Sequence, residues 1–247
     1  MLKFIAFQFL VLMAVVSPTM ANASACVATD RECVIKQLIE TTQKIENVNW
    51  RDQSYREIAK SLAADGQFEQ AIGIWEKIEN PDTKALTIRG IGMAAADREL
   101  AQAEYDALFT QLRAKSETIT HPPSYAIALT YIAMAQAFAG DDEGAWKTAA
   151  SMENDALRHK AYGETAEIQA GIGNVEAAMK SIGYIESTAY RNKAYALVSK
   201  ILADQSLFDA ALQAAVPLTN AYKKAKALQY VLDKQKKVQM QAKAAAE

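Results

Sequence analysis

Residues 55–71 read YREIAKSLAADGQFEQA, and residues 132–145 read IAMAQAFAGDDEGA. In both segments a small residue is followed seven positions later by glycine, and the glycine is followed five positions later by alanine. Apolar and small residues at i, i+3, i+4 and i+7 precede the glycine, which is the spacing of one face of an α-helix. Glycine at a helix end supplies the left-handed conformation that stops the helix. Each segment therefore predicts a helix, a tight turn and the start of a second helix.

This pattern recurs along the chain. The small residue recurs at Ala59, Gly92, Ala133, Ala166 and Ser199, at intervals of 33 residues apart from one of 41. The turn residue recurs at Gly66, Gly140, Gly173 and Ser206, and the later alanine at Ala71, Ala103, Ala145, Ala178 and Ala211. An insertion near residues 115–123 explains the longer interval. Small residues let antiparallel helices pack closely, and stacked pairs bury a face that one pair leaves bare. The repeat therefore predicts an all-α fold, an α-solenoid of antiparallel helix pairs.

The composition agrees with long helices and few turns. Hydrophobic residues make up 51% of the chain and charged residues 23%, with only 10 Gly and 5 Pro among 247 residues. The formal net charge of −2 excludes a strongly basic nucleic-acid binder. Two His and two Cys leave little material for a metal site or for a nucleophile with its base, and His121 and His159 lie in no catalytic spacing. We therefore predict no metal, no cofactor and no enzymatic activity.

The N-terminus has the form of a secretory signal peptide. Lys3 precedes an apolar run from Phe4 to Val16, which is shorter than the roughly 20 residues that span a bilayer. Two A-x-A cleavage patterns follow within residues 21–25. We expect residues 1–25 to be removed and the mature protein to be secreted without an integral membrane span. No Asn-x-Ser/Thr acceptor lies beyond this segment, which favours a bacterial periplasm.

The two cysteines follow the cleavage zone directly. In an oxidising compartment, an even pair as close as Cys26 and Cys33 predicts one local disulfide. Alternatively, Ala25-Cys26 resembles the end of a lipoprotein signal, and the chain would then be an envelope-assembly lipoprotein lipidated at Cys26. Against that alternative, Ala23 stands where such signals usually have Leu, and the apolar run ends well before the cysteine.

A second signature marks the turns between repeats. Ile45-Glu46-Asn47 recurs as Ile78-Glu79-Asn80, Met152-Glu153-Asn154, Ile185-Glu186-Ser187 and Leu218-Thr219-Asn220. Asn or Ser suits the cap of the next helix. A basic residue follows five positions after each Glu, at Arg51, Lys84, Arg158 and Arg191. We interpret these pairs as salt bridges across each turn, the alternative being a ladder of ligand-binding cations.

The first repeat resembles a known family. Ala59, Leu62, Gly66, Phe68, Ala71 and Trp75 reproduce the order and spacing of the tetratricopeptide (TPR) consensus, with Ile78 and Pro81 near its end. The chain is similar to TPR proteins over about residues 51–237, with a period of 33 instead of 34. The resemblance implies a right-handed superhelix whose concave groove binds a peptide or a whole protein.

The resemblance also implies which side chains face the groove. By register they include Gln53, Arg56, Lys60, Arg89, Thr130, Met134, Lys160, Glu167, Lys193, Lys200 and Lys226. Basic residues dominate, so we expect the partner-binding groove to use Arg56, Lys60, Arg89, Lys160, Lys193 and Lys200. Such a groove prefers an acidic segment or a C-terminal carboxylate, held by charge-assisted hydrogen bonds.

The predicted layout follows from the repeat. After the signal peptide comes an N-terminal segment, residues 26–50, with a leading helix over 34–46. Five TPR-like helix pairs fill residues 51–220, at about 51–80, 83–115, 124–154, 157–187 and 190–218. A capping helix and a frayed tail occupy residues 221–247. We predict an exported protein-interaction scaffold; a helical hydrolase or lyase is a further alternative, for which the repeat register offers no paired carboxylates.

Overall fold

The structure is a computed structural model that describes residues 26–27 and 29–245. The predicted signal peptide, residues 1–25, lies outside the described residues. The described part of the chain forms twelve α-helices and no strand. The prediction of an all-α fold is therefore confirmed.

The helices alternate in length. They are α1 Arg31–Thr42, α2 Val48–Ala64, α3 Phe68–Trp75, α4 Pro81–Ala96, α5 Gln102–Ser116, α6 Pro122–Phe138, α7 Asp142–Ala150, α8 Asp155–Gly171, α9 Val175–Gly183, α10 Thr188–Asp204, α11 Phe208–Ala215 and α12 Ala221–Ala244. The even-numbered helices from α2 to α10 have 16 or 17 residues. Between them, α3, α7, α9 and α11 have 8 or 9 residues.

The long helices pack side by side in chain order. Helix α2 contacts α4, and the same contact links α4 to α6, α6 to α8, α8 to α10 and α10 to α12. We call these six helices the long-helix row. We call the intervening helices α3, α5, α7, α9 and α11 the short helices, although α5 has 15 residues. Each packs on the long helix before it and on the long helix after it, and α1 packs on α2.

Helix starts and ends follow the residues that the sequence singles out. Asn47, Asn80, Asn154 and Asn220 cap α2, α4, α8 and α12, each accepting a hydrogen bond from a backbone N–H of the first turn. Gly66, Gly140 and Gly173 have φ near +80°, as expected for left-handed caps, and Ser206 holds the same place with φ of 63°. The leading helix begins at Arg31, earlier than the predicted residue 34, because Asp30 caps it through the backbone N–H of Cys33.

The second pair departs from the predicted register. Ala103, aligned above with the buried Ala71 and Ala145, is exposed. Helix α5 buries larger side chains in its place, at Tyr105, Leu108, Phe109 and Leu112. The extra residues near 115–123 also lengthen this helix to 15 residues and do not form a long loop, since α6 starts at Pro122.

The predicted salt bridges across the turns are wrong: none of the four Glu-x4-basic pairs is formed in the described residues. Arg51 donates to the carbonyl of Ile45 at 3.4 Å, and Arg158 donates to the carbonyl of Met152 at 2.9 Å. Both carbonyls belong to the turn that precedes the helix carrying the arginine, and Arg51 also pairs with Glu79, the Glu of the next turn. Neither guanidinium contacts the Glu that lies five positions before it.

Three buried polar side chains at one repeat position connect neighbouring long helices. Oδ2 of Asp52 in α2 accepts from the backbone N–H groups of Glu79 and Asn80, at 3.1 and 2.7 Å. Nε2 of His159 in α8 accepts from the N–H of Ser187 at 3.2 Å, and Oδ1 of Asn192 in α10 accepts from the N–H of Thr219 at 3.0 Å. Each bond satisfies a donor at the start of the next long helix.

Candidate partner-binding face

A lysine-rich cleft lies between the last two members of the long-helix row. Its volume is about 540 Å³. It is lined by Lys193, Ala196, Leu197 and Lys200 of α10 and by Lys223, Lys226, Ala227, Gln229, Tyr230 and Asp233 of α12. We call it the lysine cleft. Leu197 and Tyr230 give this lining an apolar part, and lysine side chains commonly lay their aliphatic stems on such a surface while the ammonium group stays in water.

The four lysines of this cleft form no salt bridge with any carboxylate of the described chain. The ammonium group of Lys200 lies 5.0 Å from the centroid of the Tyr230 ring, and that of Lys226 lies 4.7 Å from the centroid of Tyr222. Cation–π contacts of this kind orient an ammonium group without neutralising it. Asp233, the acidic residue of the lining, already accepts from the Gln229 amide at 2.9 Å. The cleft is therefore positively charged.

A polar network fixes the Tyr230 wall of the lysine cleft. The Tyr230 hydroxyl donates to Oδ1 of Asp204 at 2.7 Å, and Lys234 pairs with the same carboxylate. Hydrogen bonds from Lys234 and then Tyr230 lower the pKa of Asp204, and the bond to Asp204 raises the pKa of the Tyr230 hydroxyl. Because Asp204 is the last residue of α10, this network ties α12 to the end of α10 and holds the cleft open at that spacing.

A second cleft lies in the middle of the row, between α4, α6 and α8. It has a volume of about 580 Å³. Its lining is formed by Arg89, Tyr131, Met134, Phe138, Glu164, Glu167, Ile168, Gly171 and Ile172. The guanidinium of Arg89 lies 5.4 Å from the centroid of the Tyr131 ring. We call it the middle cleft.

The middle cleft is lined by Arg89 and by two glutamates, Glu164 and Glu167, so it is not basic. The expectation that basic residues dominate the whole face is not met in this cleft. Glu164 pairs with Lys160 at 3.6 Å, which neutralises one of the predicted cations. Glu167 is partly buried, and burial, followed by repulsion from Glu164, raises the pKa of its carboxyl, against the opposing effect of Lys193.

The raised pKa of Glu167 predicts how the free energy of unfolding should depend on pH. Because the folded-state pKa lies above the unfolded one, the ionised carboxylate destabilises the fold at neutral pH, and protonation relieves this as the pH falls toward the folded pKa. Glu167→Gln should therefore raise the free energy of unfolding at pH 7, and the gain should shrink in mildly acidic buffer. Urea unfolding at several pH values measures this; a stability gain that grows as the pH falls would contradict it.

The six predicted groove residues divide between these features. Lys193 and Lys200 line the lysine cleft, and Arg89 lines the middle cleft. Arg56, Lys60 and Lys160 line neither cleft. The first two lie against Glu57, at 3.8 and 2.7 Å, and Lys160 pairs with Glu164.

Other members of the wider register list also reach the clefts. Lys226 lines the lysine cleft, and Met134 and Glu167 line the middle cleft. Sequence reasoning missed Lys223, Leu197 and Tyr230 in the first and Glu164 in the second. Leu197, Tyr230 and Glu164 share one repeat position at 33-residue spacing, so a search for register equivalents of lining residues would have found them.

The two histidines form hydrogen bonds with neighbouring groups of the protein. Nδ1 of His121 lies 2.6 Å from the hydroxyl of Ser124, which itself donates to Asp82. Ser124 thus lies between the histidine and the carboxylate. It is fully buried, and its hydroxyl donates a hydrogen bond to Asp82. In a nucleophilic triad the histidine stands between the other two and the serine is accessible. His159 is buried, and both ring nitrogens bond backbone groups, those of Asp155 and Ser187.

The predicted disulfide is confirmed. Cys26 and Cys33 are bonded, with their Cα atoms 5.7 Å apart. The bond joins residue 26 to the first turn of α1, and Arg31 pairs with Asp65 at 2.5 Å. Together they fasten the start of the described chain to α1 and α1 to the end of α2.

Searches of the described residues for a membrane span and a metal site, and comparisons of the chain with known proteins, find no match. Across residues 26–27 and 29–245, no helix combines the length and apolar character of a membrane span. The same residues include no group of three or more His, Cys, Asp or Glu side chains arranged to hold a metal ion. Comparison with protein-family models, with curated proteins and with solved structures finds no match to this chain.

Proposed function

We propose that this chain is an exported protein-interaction scaffold of the TPR-like type, a right-handed solenoid that binds an acidic polypeptide segment along its long-helix row. The side-by-side packing of six long helices, each pair joined by a short helix, supports a solenoid. The period of 33 residues supports the TPR-like class. The partner lies across the exposed face of the row and ends in the lysine cleft.

The observation that carries this proposal is the lysine cleft itself. Four lysines without a salt-bridge partner in the described chain line one cleft, although the whole protein has a net charge of −2. Hydrogen bonds from ammonium groups to carboxylates are charge-assisted and stronger than neutral ones. Leu197 and the Tyr230 ring offer an apolar surface between the charges. The complementary ligand therefore has two or more carboxylates around an apolar side chain, or a terminal carboxylate that follows one.

The Cys26–Cys33 bond and the signal-like N-terminus support an exported location. Disulfides persist in oxidising compartments, of which the bacterial periplasm is one. The lipoprotein alternative requires a thioether at Cys26, and a cysteine engaged in a disulfide has no thiol for that bond. Mass spectrometry of the purified native protein tests this directly. We expect the N-terminal peptide to have the mass of its unmodified sequence with Cys26 and Cys33 joined by a disulfide. The added mass of a diacylglycerol group on Cys26 would favour the membrane-anchored alternative.

The test of binding uses a labelled synthetic peptide of alternating Glu and Leu with a free C-terminal carboxylate, and a Lys/Leu peptide as its charge opposite. We expect the wild-type protein to bind the acidic peptide and not the basic one. The triple variant Lys193→Glu, Lys200→Glu and Lys226→Glu should weaken acidic-peptide binding by at least about 10-fold, since like charges then face each other. Fluorescence anisotropy at low salt measures both peptides, because salt screens such contacts.

A matched variant controls for net charge. Lys36, Lys44 and Lys77 are exposed and lie outside both clefts. Their reversal to Glu changes the charge of the protein by the same amount, so long-range repulsion is equal in the two variants. We expect this control to bind the acidic peptide close to wild-type affinity. Equal losses in the two variants, or no loss in either, would overturn the proposal.

A further inference from the structure

Each of the first five long helices has two positions, four residues apart, on the side that meets its own short helix. These positions hold Tyr55 and Ala59, Ile88 and Gly92, Leu129 and Ala133, Tyr162 and Ala166, and Tyr195 and Ser199. The second position is buried in all five helices. The contact with the short helix is direct in two pairs: Ser199 donates to the carbonyl of Ala211 in α11 at 2.8 Å, and Gly92 faces Phe109 and Leu112 of α5. We call this side the pairing face.

The pairing face of α12 carries leucines that lie exposed. The 33-residue register places Leu228 and Leu232 at these two positions. Their exposed fractions are 37% and 57%, whereas the inner side of α12 buries Val231. Leu232 therefore holds the position that in the preceding helices is small and fully covered, and no short helix of the described chain packs over it.

Helix α1 also has an uncovered apolar side, but in the described chain it lacks a preceding long helix where α12 lacks a following short helix. Leu38 precedes Ala71 by 33 residues, and Ala71 is the buried alanine through which α3 meets α2. Helix α1 uses Ile35 and Ile39 to pack on the core, so it lies on α2 as a short helix lies on the following long helix. Its other side, Val34 and Leu38, is 42% and 45% exposed. In the described chain, α1 is a short helix without a long helix before it.

We propose that α1 of one protomer packs on the pairing face of α12 in its partner, so that Val34 and Leu38 cover Leu228 and Leu232 and copies join head to tail. The contact repeats between copies the pairing that each protomer makes five times within itself. Leucine on both sides in place of small residues suits a helix separation of about 8–10 Å.

Charge selects this arrangement over a symmetric pairing of two α12 helices. Helix α12 holds seven Lys and one Asp, so two such helices repel each other. Residues 26–220 hold 19 Lys and Arg against 27 Asp and Glu. Helix α1 itself has no net charge, with Arg31 and Lys36 against Glu32 and Glu40, so it does not repel the basic α12, and the body behind it is acidic. A head-to-tail contact leaves one face free at each end, so copies add into chains as the concentration rises, unless the rotation between copies closes a ring.

Sedimentation velocity on the full mature chain tests this inference with two variants, Leu38→Glu and Leu232→Glu. Both positions are exposed, so circular dichroism should show unchanged folding; Leu38→Gln and Leu232→Gln replace them if either variant unfolds. We expect the mean mass of the wild type to rise between about 10 µM and 1 mM, the range of weak assembly. Each variant alone should stay monomeric, with self-association weakened at least about 10-fold.

The mixture of the two variants is decisive. Leu38→Glu keeps an intact α12 face, and Leu232→Glu keeps an intact α1 face, so an equimolar mixture should form dimers and nothing larger. A wild type that remains monomeric throughout, or a Leu38→Glu variant that associates by itself like the wild type, would overturn the proposal. Neither outcome bears on the lysine cleft, because peptide binding is measured on monomers at low concentration.

Discussion

Gly92→Ala should lower the free energy of unfolding by about 1–3 kcal/mol, although it adds only a methyl group to the middle of a helix. A Cβ atom at position 92 would lie 2.7 Å from the Cβ of Ala135 in α6. Neither methyl group can rotate away, so α4 and α6 must separate, and close packing of the long-helix row depends on that approach. Urea unfolding followed by circular dichroism measures the loss.

Gly73→Ala is the matched control for this substitution. No heavy atom lies within 4 Å of a Cβ added at position 73 in α3. Alanine is the better helix former, so the control should gain about 0.5–1 kcal/mol. A Gly92→Ala protein as stable as the wild type, or one that changes in the same direction as Gly73→Ala, would show that α4 and α6 do not approach so closely.

Asp52→Ala should cost about 1–3 kcal/mol, because it leaves two partly buried backbone N–H groups without an acceptor. The Asp52 carboxylate is fully buried and accepts both bonds at the start of α4. Asp52→Asn keeps an oxygen in that place, as Asn192 does at the equivalent position in α10. We therefore expect the asparagine variant to lose less than about 1 kcal/mol.

The two variants of Asp52 should also differ in where the fold loosens. Amide hydrogen exchange of Glu79 and Asn80 should speed up in Asp52→Ala, because those N–H groups lose their acceptor, and should change little in Asp52→Asn. Equal stability of the two variants would mean that the connection between α2 and α4 does not depend on this side chain.

The sequence was sufficient for the periodic features of the fold. Glycine at helix ends, Asn caps and small residues at closest approach are local requirements of helix geometry, so Gly66, Asn80 and Ala59 could be assigned from spacing alone. The disulfide could be predicted because two cysteines so close together in sequence commonly bond to each other in an oxidising compartment.

The failures concern side-chain partners, which spacing does not determine. Arg51 and Arg158 lie in register with a Glu, yet both donate to a carbonyl of the preceding turn, and Arg51 pairs with Glu79 of the next turn. In α5, Phe109 and Leu112 are buried, whereas the other short helices bury an alanine. This longer helix buries larger side chains at different positions. Lys160 belongs to the predicted groove by register, and only the structure shows that Glu164 neutralises it.

Carbodiimide coupling of the acidic Glu/Leu peptide to the protein reports where the bound peptide lies, since the reagent forms an amide between a carboxylate and an amine with no spacer and so favours amines that the peptide contacts. Mass spectrometry of the coupled product then identifies each lysine that the peptide reaches. We predict products at Lys193, Lys200, Lys223 and Lys226, which line one cleft between α10 and α12. Coupling spread evenly over lysines outside the cleft, such as Lys36 and Lys77, would contradict the account.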